Sequence, residues 1–380
     1  MKYRKNNTVQ TKAYIDLDNM VNNYRRISKK IAPAQLIAVV KADGYGHGAV
    51  RVAKKLQEEG VEYFAVARLS EAIELNEEGI NGKILILGRI FPEEIKYAVK
   101  NKIRITLTNQ QDLKLINQKA KELDKTAILH INIDTGMGRV GILTRNAVDT
   151  ILKAKDLSHI EVEGVYSHFS TADQKDKMYA KEQFQKFSGI LAKLEQENIS
   201  ISCKHIANSG AILDLPETYT GEINMVRAGI MLYGAYPSLH TSESIPVDPV
   251  MTMTTKVSEI RTLPGNYSVS YGRRYKTPKK MKTAVLPIGY ADGIHRIHTG
   301  KSKVMIKGKL YPMIGTVTMD QIVISVDNKV EQGDKVILWG DVEEDRLRAS
   351  RVAEKIGTIS YELFTSISKR VPRIYNSYQK

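Results

Sequence analysis

Between residues 36 and 227, short apolar runs alternate with segments of helical period, and this alternation restricts the fold more than any other feature of the chain. Eight strand-like runs fall at 36–41, 63–67, 84–88, 105–108, 127–134, 162–168, 205–209 and 223–227. Amphipathic stretches follow most of them, at 48–60, 70–79, 93–102, 110–123 and 181–197. In the last of these, Phe184, Phe187, Ile190, Leu191 and Leu194 recur at helical spacing. Strands separated by helices build parallel βαβ units, and eight in succession predict a closed (β/α)8 TIM-type barrel. The competing open, doubly wound sheet would carry Gly-x-Gly-x-x-Gly after an early strand, and none is present.

The pattern changes after Pro237. A Ser/Thr/Pro-rich stretch leads into closely spaced strand-like runs at 251–263, 269–271, 283–288, 303–306, 321–326 and 335–338, interrupted by one helix near 348–356. This predicts an α/β chain of two domains, a barrel over 13–243 and a mostly β domain over 244–380. The early run 13–17 reads as an extra strand that pairs with the second domain. With 42% hydrophobic and 26% charged residues, the 380-residue chain has the apolar content to fold. It lacks the run of about 20 apolar residues that a membrane span needs. The polar start, MKYRKNNTVQTK, has no signal-peptide core, so a cytoplasmic protein without a membrane partner is expected. The single cysteine, Cys203, excludes an internal disulfide and a cysteine-cluster metal site, and no metal is expected. The net charge of +15 is spread over mixed-charge faces and is densest at 273–280. With no nucleic-acid module to accompany it, the excess reads as a bias toward small anions rather than toward nucleic acid.

Five constellations sit where strands end. The first, Val39-Val40-Lys41-Ala42-Asp43-Gly44-Tyr45-Gly46-His47-Gly48, runs an apolar strand into a lysine and then a glycine-rich turn. Partial burial would free such an amine as nucleophile or base, although a lysine snorkelling from a strand end fits equally. The second, Asp134-Thr135-Gly136-Met137-Gly138-Arg139, offers a guanidinium fork for a phenolate or carboxylate, or else a structural salt bridge. The others are Tyr166-Ser167-His168, His205-Ile206-Ala207-Asn208-Ser209-Gly210 and Met225-Val226-Arg227-Ala228-Gly229-Ile230. In a barrel, loops after the last two strands commonly bind phosphate, and the Ser209 hydroxyl with the Gly229 and Ile230 amides would supply donors. All five lie at one face of the barrel, the face where barrel active sites sit.

These motifs carry a resemblance. AVVKADGYGHG, DTGMGRVG, HIANSGA, MVRAGIMLYG, VSYG, GYADG, GTVTMDQ and RVPRIY, in that order from about Ala13 to Tyr375, resemble the bacterial alanine racemases of the pyridoxal-phosphate-dependent fold type III group. The resemblance implies pyridoxal 5'-phosphate as cofactor, in Schiff-base linkage to Lys41. It places Tyr45, Asn208, Ser209, Gly229, Ile230 and Tyr361 around the cofactor, most of them at its phosphate. Arg227 is placed at the pyridine nitrogen, Arg139 at the phenolic oxygen and at substrate, and His168 beside Arg227. It implies a two-base racemisation of a small amino acid, with Lys41 on one face of the α-carbon and Tyr271 on the other. In the resembled family Tyr271 and Met319 come from the second subunit of a head-to-tail homodimer, and Asp173, Tyr290, Arg296 and Ile359 line the substrate corridor. An arginine at the ring nitrogen keeps it unprotonated, and a tyrosine base needs a pKa below its usual 10, for which His168 linked to Arg227 is the implied source.

Three positions depart from the family's pattern. Asn132 stands where many members carry a carbamylated lysine that orients Arg139, leaving either Asn132 itself or a small anion such as chloride for that task. Thr316 replaces a corridor arginine found in some relatives, and Thr365 a common cysteine. The function implied is interconversion of L- and D-alanine, supplying D-alanine for peptidoglycan. A broader amino-acid or serine racemase is the alternative that Asn132 and Thr316 suggest. A non-catalytic pyridoxal-phosphate carrier is a further one, against which the β domain argues.

Overall fold

The computed structural model describes residues 9–375. The first elements of the described residues are β1 (Lys12–Ile15) and α1 (Leu17–Ile31), and the barrel begins with β2 (Gln35–Val39). Next come α2 (Lys41–Tyr45), α3 (Ala49–Glu58), β3 (Tyr63–Val66), α4 (Leu69–Glu77), β4 (Lys83–Ile86), α5 (Ile95–Lys100), β5 (Arg104–Leu107), α6 (Asp112–Lys121) and β6 (Ala127–Asp134). A two-residue strand, β7 (Ile142–Leu143), precedes α7 (Thr144–Lys155), β8 (Ile160–Tyr166), α8 (Met178–Gln196), β9 (Cys203–His205), α9 (Ser209–Asp214) and β10 (Met225–Ala228). Eight strands pair in parallel in the order β5-β4-β3-β2-β10-β9-β8-β6, and a further pairing of β5 with β6 closes the barrel. Strands covered on both faces need no polar alternation, and β2 and β3 are accordingly almost continuously buried. The helices bury one stripe each, as in α3, where Ala49, Val52, Ala53 and Leu56 face the barrel.

The second sheet is built from β11 (Met251–Lys256), β12 (Glu259–Leu263), β15 (Met281–Leu286), β16 (Lys303–Ile306), β17 (Lys309–Ile314), β18 (Ile322–Val326), β19 (Lys335–Trp339) and β20 (Arg373–Ile374), together with β1. A small ribbon of β13 (Ser268–Val269) and β14 (Tyr275–Lys276) stands apart from it. Two helices, α10 (Ala349–Ile356) and α11 (Ser360–Thr365), complete the domain. The early run pairs as expected: β1 lies antiparallel to β11 and parallel to β20, so the first and last strands of the described residues lie side by side in the second sheet.

Several boundaries differ from the sequence reading. The run 251–263 is two strands, because Val257 and Ser258 leave the line to donate to Asp334 and Val285 carbonyls. The expected strand 269–271 stops at Val269, since Ser270 takes a positive φ of 62° and Tyr271 opens a 3-10 turn. Helices α1 and α11 and strand β17 were not foreseen. Residues 376–380 of the expected β domain lie outside the described residues. No helix of the described residues is long and apolar enough to cross a membrane.

Candidate active site

Lys41 stands two residues past the last residue of β2, and the chain then turns the unusual way. Ala42, Asp43, Gly44 and Tyr45 all have φ between 52° and 59°, a left-handed turn that costs a non-glycine residue about 1–2 kcal/mol. Local bonds hold it. The Gly44 amide donates to the Val40 carbonyl, Gly46 to Ala42 and Gly48 to Asp43, while the Ala42 amide donates to the Glu71 carboxylate at 2.7 Å. From the other domain Arg373 donates to the Gly46 carbonyl at 3.0 Å, so the RVPRIY motif pins the lysine-bearing turn. Gly46 has no alternative: at φ 78° its Cβ would lie 2.4 Å from the Phe364 carbonyl oxygen. Burial first, and the Arg139 guanidinium second, push the Lys41 ammonium below its ordinary pKa, as a nucleophilic or basic amine requires.

The loop after β6 is shaped by Asp134, whose carboxylate accepts the Gly136, Met137 and Gly138 amides. That turn leaves Arg139 exposed at the mouth. Asn132 is buried and lines the same cavity as Tyr166, whose hydroxyl meets Thr106 Oγ1 at 3.1 Å. Among the described residues no hydrogen bond joins Asn132 to Arg139, so the direct support considered from the sequence is not made.

Arg227, on β10, is 3% exposed and almost fully engaged. One terminal nitrogen meets His205 Nδ1 at 2.6 Å; the other meets the Ser167 carbonyl at 2.6 Å, the Ile206 carbonyl at 3.1 Å and His168 Nδ1 at 3.0 Å. The donor without an acceptor among the described residues is Nε–H. Because arginine only donates, His168 accepts at Nδ1 and carries its proton on Nε2. Burial, then the Arg227 and Arg139 charges, hold His168 well below the ordinary histidine pKa and so neutral.

Across the cavity, Asn208 caps α9 by accepting the Ala211 amide, and the Gly229 amide donates to Ser209 Oγ at 3.1 Å. That leaves the Ser209 hydroxyl proton free to donate. The rings of Tyr45 and Tyr361 lie 5.9 Å apart.

Lys41, Tyr45, Arg139, His168, Asp173, Asn208, Ser209, Arg227, Gly229, Ile230 and Tyr361 thus line a single cavity of about 290 Å³ at the C-terminal ends of the barrel strands. A Cβ at Gly229 would lie 2.6 Å from the Tyr45 hydroxyl, so glycine keeps this floor open. A partly buried amine, a charged guanidinium, two tyrosines and a serine donor around one small cavity fit a phosphorylated aldehyde such as pyridoxal phosphate. Tyr166, which stacks on His205 at 4.8 Å, also lines it; the sequence places it in the third constellation but assigns it no role. Its signal was the two-residue spacing from Gly164, which puts both on the inner face of β8.

Tyr271, Met319, Tyr290, Arg296 and Ile359 do not line this cavity. They lie outside it on the second domain, with Tyr271 72%, Met319 51% and Ile359 56% exposed. The loop 315–319 joins most of them. Thr316 Oγ1 donates to the Tyr271 carbonyl at 2.7 Å, Ser270 Oγ to the Thr316 carbonyl at 2.6 Å, and the Tyr290 amide to the Thr318 carbonyl at 3.0 Å. Val317 donates to Thr299, at the end of the turn that carries Arg296. Thr316 is therefore a buried clamp rather than a corridor side chain.

The chain is similar to known proteins over nearly its whole length. The family model "Alanine racemase, N-terminal domain" matches residues 15–237, and "Alanine racemase, C-terminal domain" matches residues 250–375. The chain is 42% identical over 369 residues to alanine racemase 2 of Caldanaerobacter subterraneus subsp. tengcongensis, covering 96% of this chain and 94% of that one. It superposes on alanine racemase of Clostridium difficile 630 with TM-score 0.90 at 40% identity, over 97% of this chain and 96% of that one. A structure of alanine racemase from Bartonella henselae with covalently bound pyridoxal phosphate matches with TM-score 0.87 at 27% identity, over 97% of this chain and 100% of that one.

Proposed function

The chain belongs to the alanine racemase family, and from that premise we propose that it interconverts L- and D-alanine with pyridoxal 5'-phosphate, in a site completed by a second copy of the chain. The observation that carries this reading is the single cavity that gathers Lys41, Arg227, Arg139, Tyr45, Ser209 and Tyr361. Lys41 holds the cofactor through its amine, which its lowered pKa favours. Ser209, with the Tyr45 and Tyr361 hydroxyls, holds the phosphate. Arg139 reaches the phenolic oxygen and the substrate carboxylate. When bound, pyridoxal phosphate supplies an electron sink for the α-carbon. Arg227, which only donates and has Nε–H left over, would hold the ring nitrogen and leave it without a proton. That weakens the sink and favours prompt return of the α-proton, which is what racemisation needs.

Two bases exchange that proton. Lys41, whose lowered pKa favours the free amine, would serve one face. Tyr271 serves the other, supplied with Met319 by the partner of a homodimer. Its high exposure and its absence from its own chain's cavity support a partner role. Asp173, Tyr290, Arg296 and Ile359 then border the route by which substrate enters. The product serves peptidoglycan synthesis in the cytoplasm. The inward turn of Thr316 favours a second reading, broader specificity, because it leaves the corridor without a charge at that position.

Borohydride treatment of the purified protein followed by peptide mass spectrometry should place the reduced cofactor adduct on Lys41; an adduct on any other lysine would overturn the assignment. Chiral chromatography after incubation with L-alanine and L-serine separates the two readings, and no racemisation of either would refute both.

A further inference from the structure

Beneath the cavity, the barrel interior holds a polar chain that the mechanism above does not use. His205 Nε2 lies 3.0 Å from His130 Nδ1, His130 Nε2 lies 2.8 Å from Glu163 Oε2, and Arg104 closes the chain with two bonds of 3.0 Å to the Glu163 carboxylate. The upper end is the 2.6 Å contact of Arg227 with His205 Nδ1. Both histidines are fully buried and Glu163 is nearly so. His130, Glu163 and Cys203 also stand close enough together to suggest a metal site. The Arg104 guanidinium, however, already supplies the positive charge facing Glu163, and Cys203 pairs with the Tyr63 hydroxyl at 3.6 Å.

Two local features make room for the chain. The pairing of β6 with β8 shifts register between Leu129 and His130, so that Val162 and Gly164 find partners and Glu163 is the extra residue. Such a bulge re-aims a side chain, and here it brings in a glutamate that strict alternation would turn away from Gly164 and Tyr166. Gly164 leaves space for His130: a Cβ there would lie 2.4 Å from His130 Nδ1.

The chain has one direction. Arg227 only donates, so His205 accepts at Nδ1 and, when neutral, carries its proton on Nε2. That proton goes to His130 Nδ1, which places the His130 proton on Nε2, facing Glu163. Every donor meets an acceptor. A proton added at His130 Nδ1 would force His205 to accept at Nε2 and to aim an N–H at Arg227.

We propose that Glu163 is a positioning residue for the racemase: through His130 and His205 it fixes His205 Nδ1 as an acceptor and so sets the orientation of Arg227 toward the cofactor. This rests on the reading that Arg227 faces the cofactor's ring nitrogen. Burial opposes the ionisation of Glu163, yet the His130 and Arg104 hydrogen bonds hold its carboxyl at about 2. Burial keeps both histidines below their ordinary pKa and neutral.

The test begins without any variant. Nitrogen NMR of the 15N-histidine-labelled full-length protein, with and without pyridoxal phosphate, should show His130 and His205 both neutral and protonated at Nε2. A His130 that is protonated at Nδ1, or charged at neutral pH, would overturn the proposal. Next, Glu163→Gln and Gly164→Ala are compared with Arg227→Lys by the visible absorption band of the bound cofactor and by kcat. A glutamine can donate to His130 and reverse both imidazoles, whereas the alanine methyl parts His130 from His205 without removing a charge. Should the glutamine variant fail to fold, the alanine variant gives the same reading. Each should shift the band and lower kcat about tenfold, the effect of one misplaced charge-assisted hydrogen bond, with Glu163→Asp recovering part of the loss. If Arg227→Lys shifts the band and neither chain variant does, the proposal is overturned while the reading of Arg227 stands. If none of them shifts it, the reading of Arg227 fails, and the proposal with it.

Discussion

Replacing Thr316 with valine removes one hydroxyl and changes little else in shape. That hydroxyl donates to the Tyr271 carbonyl at 2.7 Å and is one half of a reciprocal pair with the Ser270 to Thr316 bond. The pair holds a turn that resists its own geometry. Ser270 sits at φ 62°, ψ −172°, a region that costs a side-chain-bearing residue of order 1–3 kcal/mol. Gly272 and Arg273 also have positive φ. The Tyr271 carbonyl lies near solvent, where water replaces part of the lost bond, so the net loss is about 1 kcal/mol. If that energy confines Tyr271 to its working position, the variant's rate on the tyrosine face falls about fivefold. The assay follows solvent deuterium entering the α-position of each alanine enantiomer. Exchange should slow for the enantiomer whose α-hydrogen faces Tyr271 and stay unchanged for the one facing Lys41. Thr316→Ser should match the parent. Equal slowing of both enantiomers, or no slowing of either, would refute the clamp.

Gly46→Ala forces a side chain into φ 78° and into the Phe364 carbonyl, so the variant should lose more than about 1 kcal/mol of stability in thermal unfolding and retain cofactor poorly on dialysis. Because Asn132 is uncharged and makes no hydrogen bond to Arg139 among the described residues, activity should be indifferent to bicarbonate and respond to chloride; dialysis against carbonate-free and chloride-free buffers checks both. The Glu163 carboxyl, ordinarily near 4.5, is held at about 2 in the fold. A depressed carboxylate stabilises fully above its unfolded value, so this contribution is complete above about pH 4.5 and is lost as pH falls toward 2. Acid unfolding of Glu163→Gln should be correspondingly less steep in that window.

The barrel was legible because its strands and helices announce themselves by period, and because each strand end that matters carries its own polar cluster. Lys41, Arg139, His168, Ser209 and Arg227 come from five different strand ends, and closure of the barrel alone brings them to one cavity. What lay hidden depends on departures from period. Glu163 reads as an outward residue of an alternating strand, and only the bulge beside His130 turns it inward. The split of 251–263 depends on Val257 and Ser258 finding carbonyl partners far away in sequence, at Asp334 and Val285. Strand β17 follows a Lys307-Gly308 turn with positive φ at both residues, a hairpin turn that a lysine conceals. Thr316 stood out only as a missing arginine, and its hydrogen bond to Tyr271 needed the folded loop to appear.

The central claim is that one working site takes Lys41 from one chain and Tyr271 from its partner. Lys41→Ala and Tyr271→Phe should each be nearly inactive, since each lacks the base for one face of the α-carbon. A symmetric dimer carries two such sites, so a hybrid of the two variants has one site with both defects and one with neither. Subunits carrying different affinity tags are mixed, allowed to exchange and purified through both tags in turn, and racemisation of L-alanine is measured on the confirmed hybrid. The account predicts recovered activity at up to half the parent rate, one intact site of two. A confirmed hybrid as inactive as its parents would show that Tyr271 serves its own chain, and would contradict the shared site.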